Sequence, residues 1–165
     1  MQPFDETLPT SPRLRRTRRQ TYHGEQTLKK AGTIMNNIIF AAIGGAVGSS
    51  LRYALTQAIK FFLSNGYHAF ATTTINLIGC IAFGIFYALS KNNILSEKMT
   101  VLTMVGITGG FTTFALFNFE NLRFFQEGKL KLGLLNIIIS LAIGTLCIII
   151  GSKICSFIIT TLKHK

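Results

Sequence analysis

The chain has 165 residues, a length that corresponds to one domain. Hydrophobic residues make up 48% of the sequence and charged residues only 14%, whereas about a quarter of an ordinary soluble domain is charged. This composition excludes a typical soluble globular domain and favours a membrane protein. The three cysteines, Cys80, Cys147 and Cys155, lie in apolar segments without CxxC or metal-ligand spacing, so we interpret them as packing residues.

Residues 1–34 are polar, and they carry seven of the 17 Lys and Arg residues and all three prolines. A basic run extends from Arg13 to Arg19. Such a composition cannot bury a core, so it predicts a disordered basic tail ahead of a membrane domain at residues 35–165. A contact with anionic lipid or nucleic acid is the alternative to a solvated tail, although no nucleic-acid partner is expected. A start codon assigned upstream of Met35 is a second explanation of this segment.

The first predicted membrane span covers residues 36–58. Small residues recur there at helical spacing, which lets neighbouring backbones approach closely: Gly44, Gly45, Gly48 and Ser49. Arg52 lies one turn beyond Gly48 on the same face. Its guanidinium either extends to the membrane interface or is buried with a partner, and both interpretations remain open.

The second predicted span covers residues 69–90, after a short polar turn at 60–68. Four of its side chains share one helical face: Thr72, Asn76, Cys80 and Phe83. Asn76 would lie inside the hydrocarbon, where an unpaired amide is costly. Its simplest role is a hydrogen bond between helices, worth about 0.6 kcal/mol. Because an unusual third span accompanies it, we favour a functional role for Asn76.

The third predicted span, residues 99–121, contains a run from Gly106 to Glu120 that is atypical of a membrane helix. The run holds three glycines, three threonines and four phenylalanines and ends on a carboxylate. Glycine pairs weaken a helix, and a broken backbone in hydrocarbon is tolerated only where it is buried in protein or lines a cavity. We therefore predict a broken third helix whose backbone contacts an ion.

The fourth predicted span covers residues 132–158 and is longer than the ~20 residues that a crossing needs. Small and polar residues recur along it at three- and four-residue steps: Gly133, Asn136, Ser140, Gly144, Cys147 and Gly151. Such a stripe on a Leu- and Ile-rich helix indicates a face turned to protein or to a pore instead of lipid.

Four spans place both termini on one side of the membrane. Within residues 35–165 the positive charges then divide five against five, so the positive-inside rule gives no orientation. A chain without orientation bias can insert both ways, and two oppositely inserted copies can pair. Four short helices enclose little on their own, so we expect a dimer. The seven additional charges of residues 1–34 would favour the termini inside.

Three stretches of the chain resemble the Fluc (CrcB) fluoride channel family. They run from Gly44 to Tyr53, from Thr72 to Gly79 and from Gly109 to Phe114, the last followed by Phe117 and Glu120. Their order and spacing match the family over residues 36–158, whereas residues 1–34 lie outside the resemblance.

The resemblance implies an all-α membrane protein that forms an antiparallel, dual-topology homodimer with two fluoride pores. It also implies one central, structural Na⁺ that is not transported. The family pattern assigns the Na⁺ ligands and the fluoride path to particular residues: carbonyls of Gly109 and Thr112 for Na⁺, Phe114 and Phe117 as pore phenylalanines, Asn76 as a pore-lining amide, Glu120 near a pore end and Arg52 as the first-helix arginine.

The chemistry of fluoride agrees with these roles. Fluoride is small and strongly hydrated, so a pore must replace its water with hydrogen-bond donors. Four residues on the predicted path carry such groups: the amide of Asn76 and the hydroxyls of Thr72, Thr113 and Ser140. The edges of aromatic rings carry partial positive charge and also attract an anion. One departure is that Ala115-Leu116 replaces the hydroxyl pair usual between the two phenylalanines.

The sequence therefore predicts a passive channel that exports toxic fluoride across the cell (inner) membrane. One alternative is a small multidrug-type four-helix transporter, but it would need a carboxylate in the first span, and residues 36–58 hold none. A non-transporting membrane scaffold is another, although it would not need a broken helix. The three acids of residues 35–165 are scattered without a nucleophile and a base, so we do not expect an enzyme.

Overall fold

The computed structural model describes residues 12–62 and 68–163, and every element within these ranges is helical. The helices are α1 (Pro12–Phe62), α2 (His68–Lys91), α3 (Glu97–Thr100), α4 (Gly109–Phe111), α5 (Phe114–Gln126) and α6 (Leu130–Lys163). A π-helical segment, Val101–Thr108, connects α3 to α4.

Four helical stretches are long and apolar enough to cross a membrane, judged by length and composition: Glu25–Phe62, Ala71–Lys91, Glu97–Gln126 and Leu130–Lys163. The predictions of an all-helical membrane protein and of four spans are thereby confirmed. Helix α6 has 34 residues, which at 1.5 Å per residue exceeds the ~30 Å hydrocarbon core. It must therefore tilt or project beyond the membrane.

Residues 12–34, which the composition predicts to be disordered, are helical and belong to α1. Extending an existing helix needs only propagation, and the Leu, Arg, Lys and Gln residues of this segment are good helix formers. Contacts divide the chain into two units, Met1–Asn36 and Asn37–Lys165. The predicted tail at residues 1–11 and most of the predicted turn at 60–68 lie outside the described residues.

Glycines allow the helices of the second unit to touch backbone to backbone. A Cβ atom on Gly44 of α1 would collide with the Cα of Gly106, and one on Gly84 of α2 would collide with the carbonyl of Ile148 in α6. Close approach of this kind increases dispersion contact between helices that lipid would otherwise surround. The α2–α6 pair also buries a small cluster of Ala88, Cys155 and Ile159.

The third span departs from α-helical geometry twice. It is π-helical up to Thr108, and the Thr108 hydroxyl donates to the Thr103 carbonyl five residues earlier at 2.9 Å. Helix α4 then ends at Phe111, and Thr112 and Thr113 are extended, with ψ angles of 152° and 108°. The glycine pair that suggested a break is itself helical, and the two β-branched threonines that follow adopt the extended backbone that such residues favour.

Candidate functional site

The extended backbone between α4 and α5 is held by one side chain of α2. The Asn76 Nδ2 atom donates to the Thr113 carbonyl at 3.2 Å, and the Thr113 N–H donates to Asn76 Oδ1 at 2.8 Å. The amide therefore satisfies both polar groups of one backbone residue, as a neighbouring strand would. One of its two N–H groups remains for another acceptor.

Two carbonyls at this break lose their ordinary helical donors. In a continuous helix the Gly109 carbonyl would accept from Thr113 N–H and the Thr112 carbonyl from Leu116 N–H. Here Thr113 N–H bonds to Asn76, and Leu116 N–H bonds to the capping hydroxyl of Thr113 at 3.5 Å. The donors that a continuous helix would direct to the carbonyls of Gly109 and Thr112 are thus bonded elsewhere.

The Gly110 carbonyl between them has a different partner. Arg52 of α1, which is half-buried, donates from Nε to this oxygen at 3.2 Å. Of the two interpretations left open by the sequence, this contact supports the one in which Arg52 has a partner inside the protein. Arg52 therefore helps to fix the end of α4, where unpaired carbonyls accumulate.

A cavity of about 390 Å³ lies against the break. Several of the predicted site residues line it: Asn76, Gly109, Thr112, Thr113, Phe114, Phe117 and Ser140. Phe117 is 6% exposed, whereas Phe114 at the start of α5 is 76% exposed. The structure therefore brings most of the predicted site together, and one of its two phenylalanines, Phe114, is largely exposed.

Two other predicted residues, Thr72 and Glu120, line a second cavity of about 230 Å³. Lys60, Arg123 and three further residues complete its lining. The Thr72 hydroxyl donates to Glu120 Oε1 at 2.6 Å, so this hydroxyl is already committed. Glu120 is 7% exposed, and its other oxygen, Oε2, is buried without a hydrogen-bond partner among the described residues. Arg52 lines neither of these two cavities.

Sequence reasoning missed Asn121, which is 2% exposed. Its Nδ2 atom donates to the Phe117 carbonyl at 2.9 Å, and its Oδ1 atom accepts from Asn136 Nδ2 at 2.8 Å. The available signal was a second amide in an otherwise apolar span, one residue after Glu120.

At the break, the atoms suited to a hard cation are carbonyl oxygens of the main chain. Within residues 12–62 and 68–163 no three His, Cys, Asp or Glu side chains come close enough to share a metal ion. A cation such as Na⁺ prefers oxygen ligands, and the carbonyls of Gly109 and Thr112 are the main-chain oxygens at this break that could hold one without a carboxylate.

The sequence is similar to known proteins over most of its length. The family model described as "CrcB-like protein, Camphor Resistance (CrcB)" matches residues 39–152. A protein of Shewanella halifaxensis (strain HAW-EB4) is 31% identical over 73% of this chain and 96% of its own length. One from Azobacteroides pseudotrichonymphae genomovar. CFP2 is 34% identical over 75% of this chain and 99% of its own. Each is named "Fluoride-specific ion channel FluC".

Proposed function

The chain belongs to the CrcB-like family, and on that basis we propose that it is a fluoride-specific ion channel, not an enzyme. Its relatives carry that name, and this chain matches them over nearly their whole length. The observation that carries the proposal is the cavity that joins Asn76, the extended threonines and Phe117 inside a membrane helix bundle. Passive flow through it exports fluoride across the cell (inner) membrane and relieves fluoride toxicity.

The cavity offers fluoride several weak contacts in place of its water. Asn76 keeps one amide N–H after it has bonded the Thr113 carbonyl. The Ser140 hydroxyl lies on the same wall and makes only a long bond of 3.5 Å to Asn136. The rings of Phe114 and Phe117 add their positive edges. Weak contacts suit conduction, because a tightly held ion does not leave.

A structural Na⁺ at the break would be held by the carbonyls of Gly109 and Thr112. When bound, it would supply a fixed positive charge that offsets the crowding of carbonyl dipoles at the end of α4. Arg52 already donates a hydrogen bond to the Gly110 carbonyl between them, so we assign the cation to the carbonyls of Gly109 and Thr112. Na⁺ is structural in this proposal and is not transported.

A second copy of the chain completes the site. Two carbonyls are few for a hard cation, and a partner related by a two-fold axis doubles their number. Phe114 is 76% exposed, and Gly109 is exposed as well; a partner would cover these residues of the cavity wall. Since positive charge is balanced over residues 35–165, we propose an antiparallel homodimer of oppositely inserted copies with two fluoride pores.

The proposal is tested by ion efflux from liposomes that contain the purified full-length protein. A fluoride electrode follows fluoride release, and a chloride electrode follows chloride from matched vesicles. We expect fast fluoride efflux and chloride efflux no faster than in protein-free vesicles. Equal release of the two halides, or no fluoride release, would contradict the assignment.

A further inference from the structure

An amide pair links α5 to α6 one turn after Phe117. Asn136 of α6 donates from Nδ2 to Asn121 Oδ1 at 2.8 Å, and Asn121 Nδ2 donates back along α5 to the Phe117 carbonyl at 2.9 Å. Asn121 is almost completely buried. A buried amide in an apolar surrounding is costly unless it is paired, so this pairing restricts how α5 can rotate or slide against α6.

The orientation of Asn136 is fixed from a third helix as well. The Thr73 hydroxyl of α2 donates to Asn136 Oδ1 at 3.4 Å, and the Ser140 hydroxyl donates to the same atom at 3.5 Å. The oxygen is thereby directed towards α2 and the nitrogen towards α5. Helices α2, α5 and α6 meet at this one side chain.

We infer that Asn136 is a positioning residue for fluoride conduction, which it controls by fixing, through Asn121, the turn of α5 that carries Phe117. The inference rests on the proposed function, because it gives Phe117 a role only if the cavity conducts fluoride. Asn136 does not line the cavity, whereas Phe117 and Ser140 do. Its effect on the ion is therefore indirect.

The position of Phe117 matters because contacts between an ion and a ring edge are short-ranged. A pore wall that fits fluoride excludes chloride partly because the chloride ion is larger. The number of contacts that the wall can make with an ion at once also contributes. If α5 is released from α6, the ring moves away from its present place. Fluoride then loses contacts, and the larger chloride ion gains room.

The test uses Asn121→Leu, Asn136→Leu and the double variant, each reconstituted as the full chain. Asn118→Leu is the matched control: Asn118 makes the same kind of bond along α5, to the Phe114 carbonyl at 2.9 Å, but it is exposed and makes no bond to another helix within residues 12–62 and 68–163. Two quantities are measured, the fluoride efflux rate per protein and the ratio of chloride to fluoride rates. After the leak of protein-free vesicles has been subtracted from both rates, the ratio is a property of each open channel and does not change when fewer channels fold.

We expect each single variant to lower fluoride efflux about tenfold and to raise the chloride-to-fluoride ratio. The double variant should release fluoride no more slowly than either single variant, with a ratio no higher than theirs. Because removing both partners leaves no unpaired amide, the double variant should fold. If the Leu side chains prevent folding, Asn136→Ala removes the amide without adding volume and is expected to raise the same ratio.

Two results would overturn the inference. One is a double variant that matches the wild type in both quantities. The other is a lower rate with an unchanged ratio, because that pattern means only that fewer channels fold. Wild-type protein that releases no fluoride would instead contradict the proposed function as well, so the two failures are distinguishable.

Discussion

At the scale of single residues, Asn76 has two roles that the sequence could not separate. Its position in an apolar helix predicted either a bond between helices or a place in the ion path. The structure shows the bond to the Thr113 backbone and also places the residue at the cavity. An amide can do this because it carries two donors and one acceptor, of which the backbone takes one donor and the acceptor.

The variant Asn76→Asp tests whether Asn76 has these two roles or only fills space between helices. The carboxylate keeps the size of the amide and still accepts from Thr113 N–H, but it cannot donate to the Thr113 carbonyl. Its negative charge also repels fluoride, and at ~5 Å that repulsion reaches a few kcal/mol at an effective dielectric constant of about 20. We expect fluoride efflux to fall at least about tenfold.

The control is Asn118→Asp, which adds the same charge at an exposed position of α5. It should leave fluoride efflux close to the wild-type rate, measured with the same electrode. An Asn76→Asp protein as active as the wild type would refute the role of Asn76 in the fluoride path.

At the scale of secondary-structure elements, hydropathy was sufficient to predict the four spans but not the details within them. The composition of Gly106–Glu120 predicted a break in span three without fixing its position, and the extended residues are Thr112 and Thr113. Glycine composition marks a weak helix, whereas the break itself depends on a partner, Asn76 of α2, that is distant in sequence. The burial of Asn121 depends in the same way on a distant partner, Asn136 of α6.

The packing of α1 on the third span gives a prediction at this scale. Gly44→Ala adds a Cβ atom that would meet the Gly106 Cα at 2.9 Å, and backbone atoms cannot move aside as the end of a side chain can. We expect destabilisation of about 1–3 kcal/mol, as for other overpacked sites. Thermal unfolding of the purified protein in detergent measures it.

Gly32→Ala is the matched control for Gly44→Ala, because both glycines lie in α1 and a Cβ atom on Gly32 meets nothing within 4 Å. Alanine is the better helix former, so this variant should unfold at the same temperature as the wild type or slightly higher. Equal unfolding temperatures for Gly44→Ala and the wild type would show that α1 does not pack on the third span in this way.

At the scale of the whole molecule, the distribution of Lys and Arg residues bears on the orientation in which the chain inserts into the membrane. Residues 35–165 carry ten Lys and Arg residues, and four spans divide them evenly between the two sides: Lys91, Lys98, Lys153, Lys163 and Lys165 against Arg52, Lys60, Arg123, Lys129 and Lys131. Residues 1–34 add seven more to the side of the termini. The family match begins at residue 39, so this basic segment lies outside the matched residues.

Removal of residues 1–34 should therefore change the orientation of the inserted chain. We expect the shortened protein to insert both ways in similar amounts, and the full-length protein to insert both ways with a larger share of termini inside, because Lys and Arg near a span resist translocation. Reporters fused to the C-terminus, one active only inside and one only outside the cell, measure the two populations. The same ratio for both lengths would show that the basic segment does not influence insertion.

The proposed channel depends on the break in the third span, where the carbonyls of Gly109 and Thr112 are proposed to bind Na⁺ and the threonines and Phe117 are proposed to line the fluoride route. The most direct measurement is fluoride efflux from liposomes in Na⁺, repeated after Na⁺ has been exhaustively replaced by a large organic cation. We predict fast fluoride efflux with Na⁺, loss of most of that rate without it, and recovery when Na⁺ is restored. Undiminished fluoride efflux in the absence of Na⁺ would contradict the account.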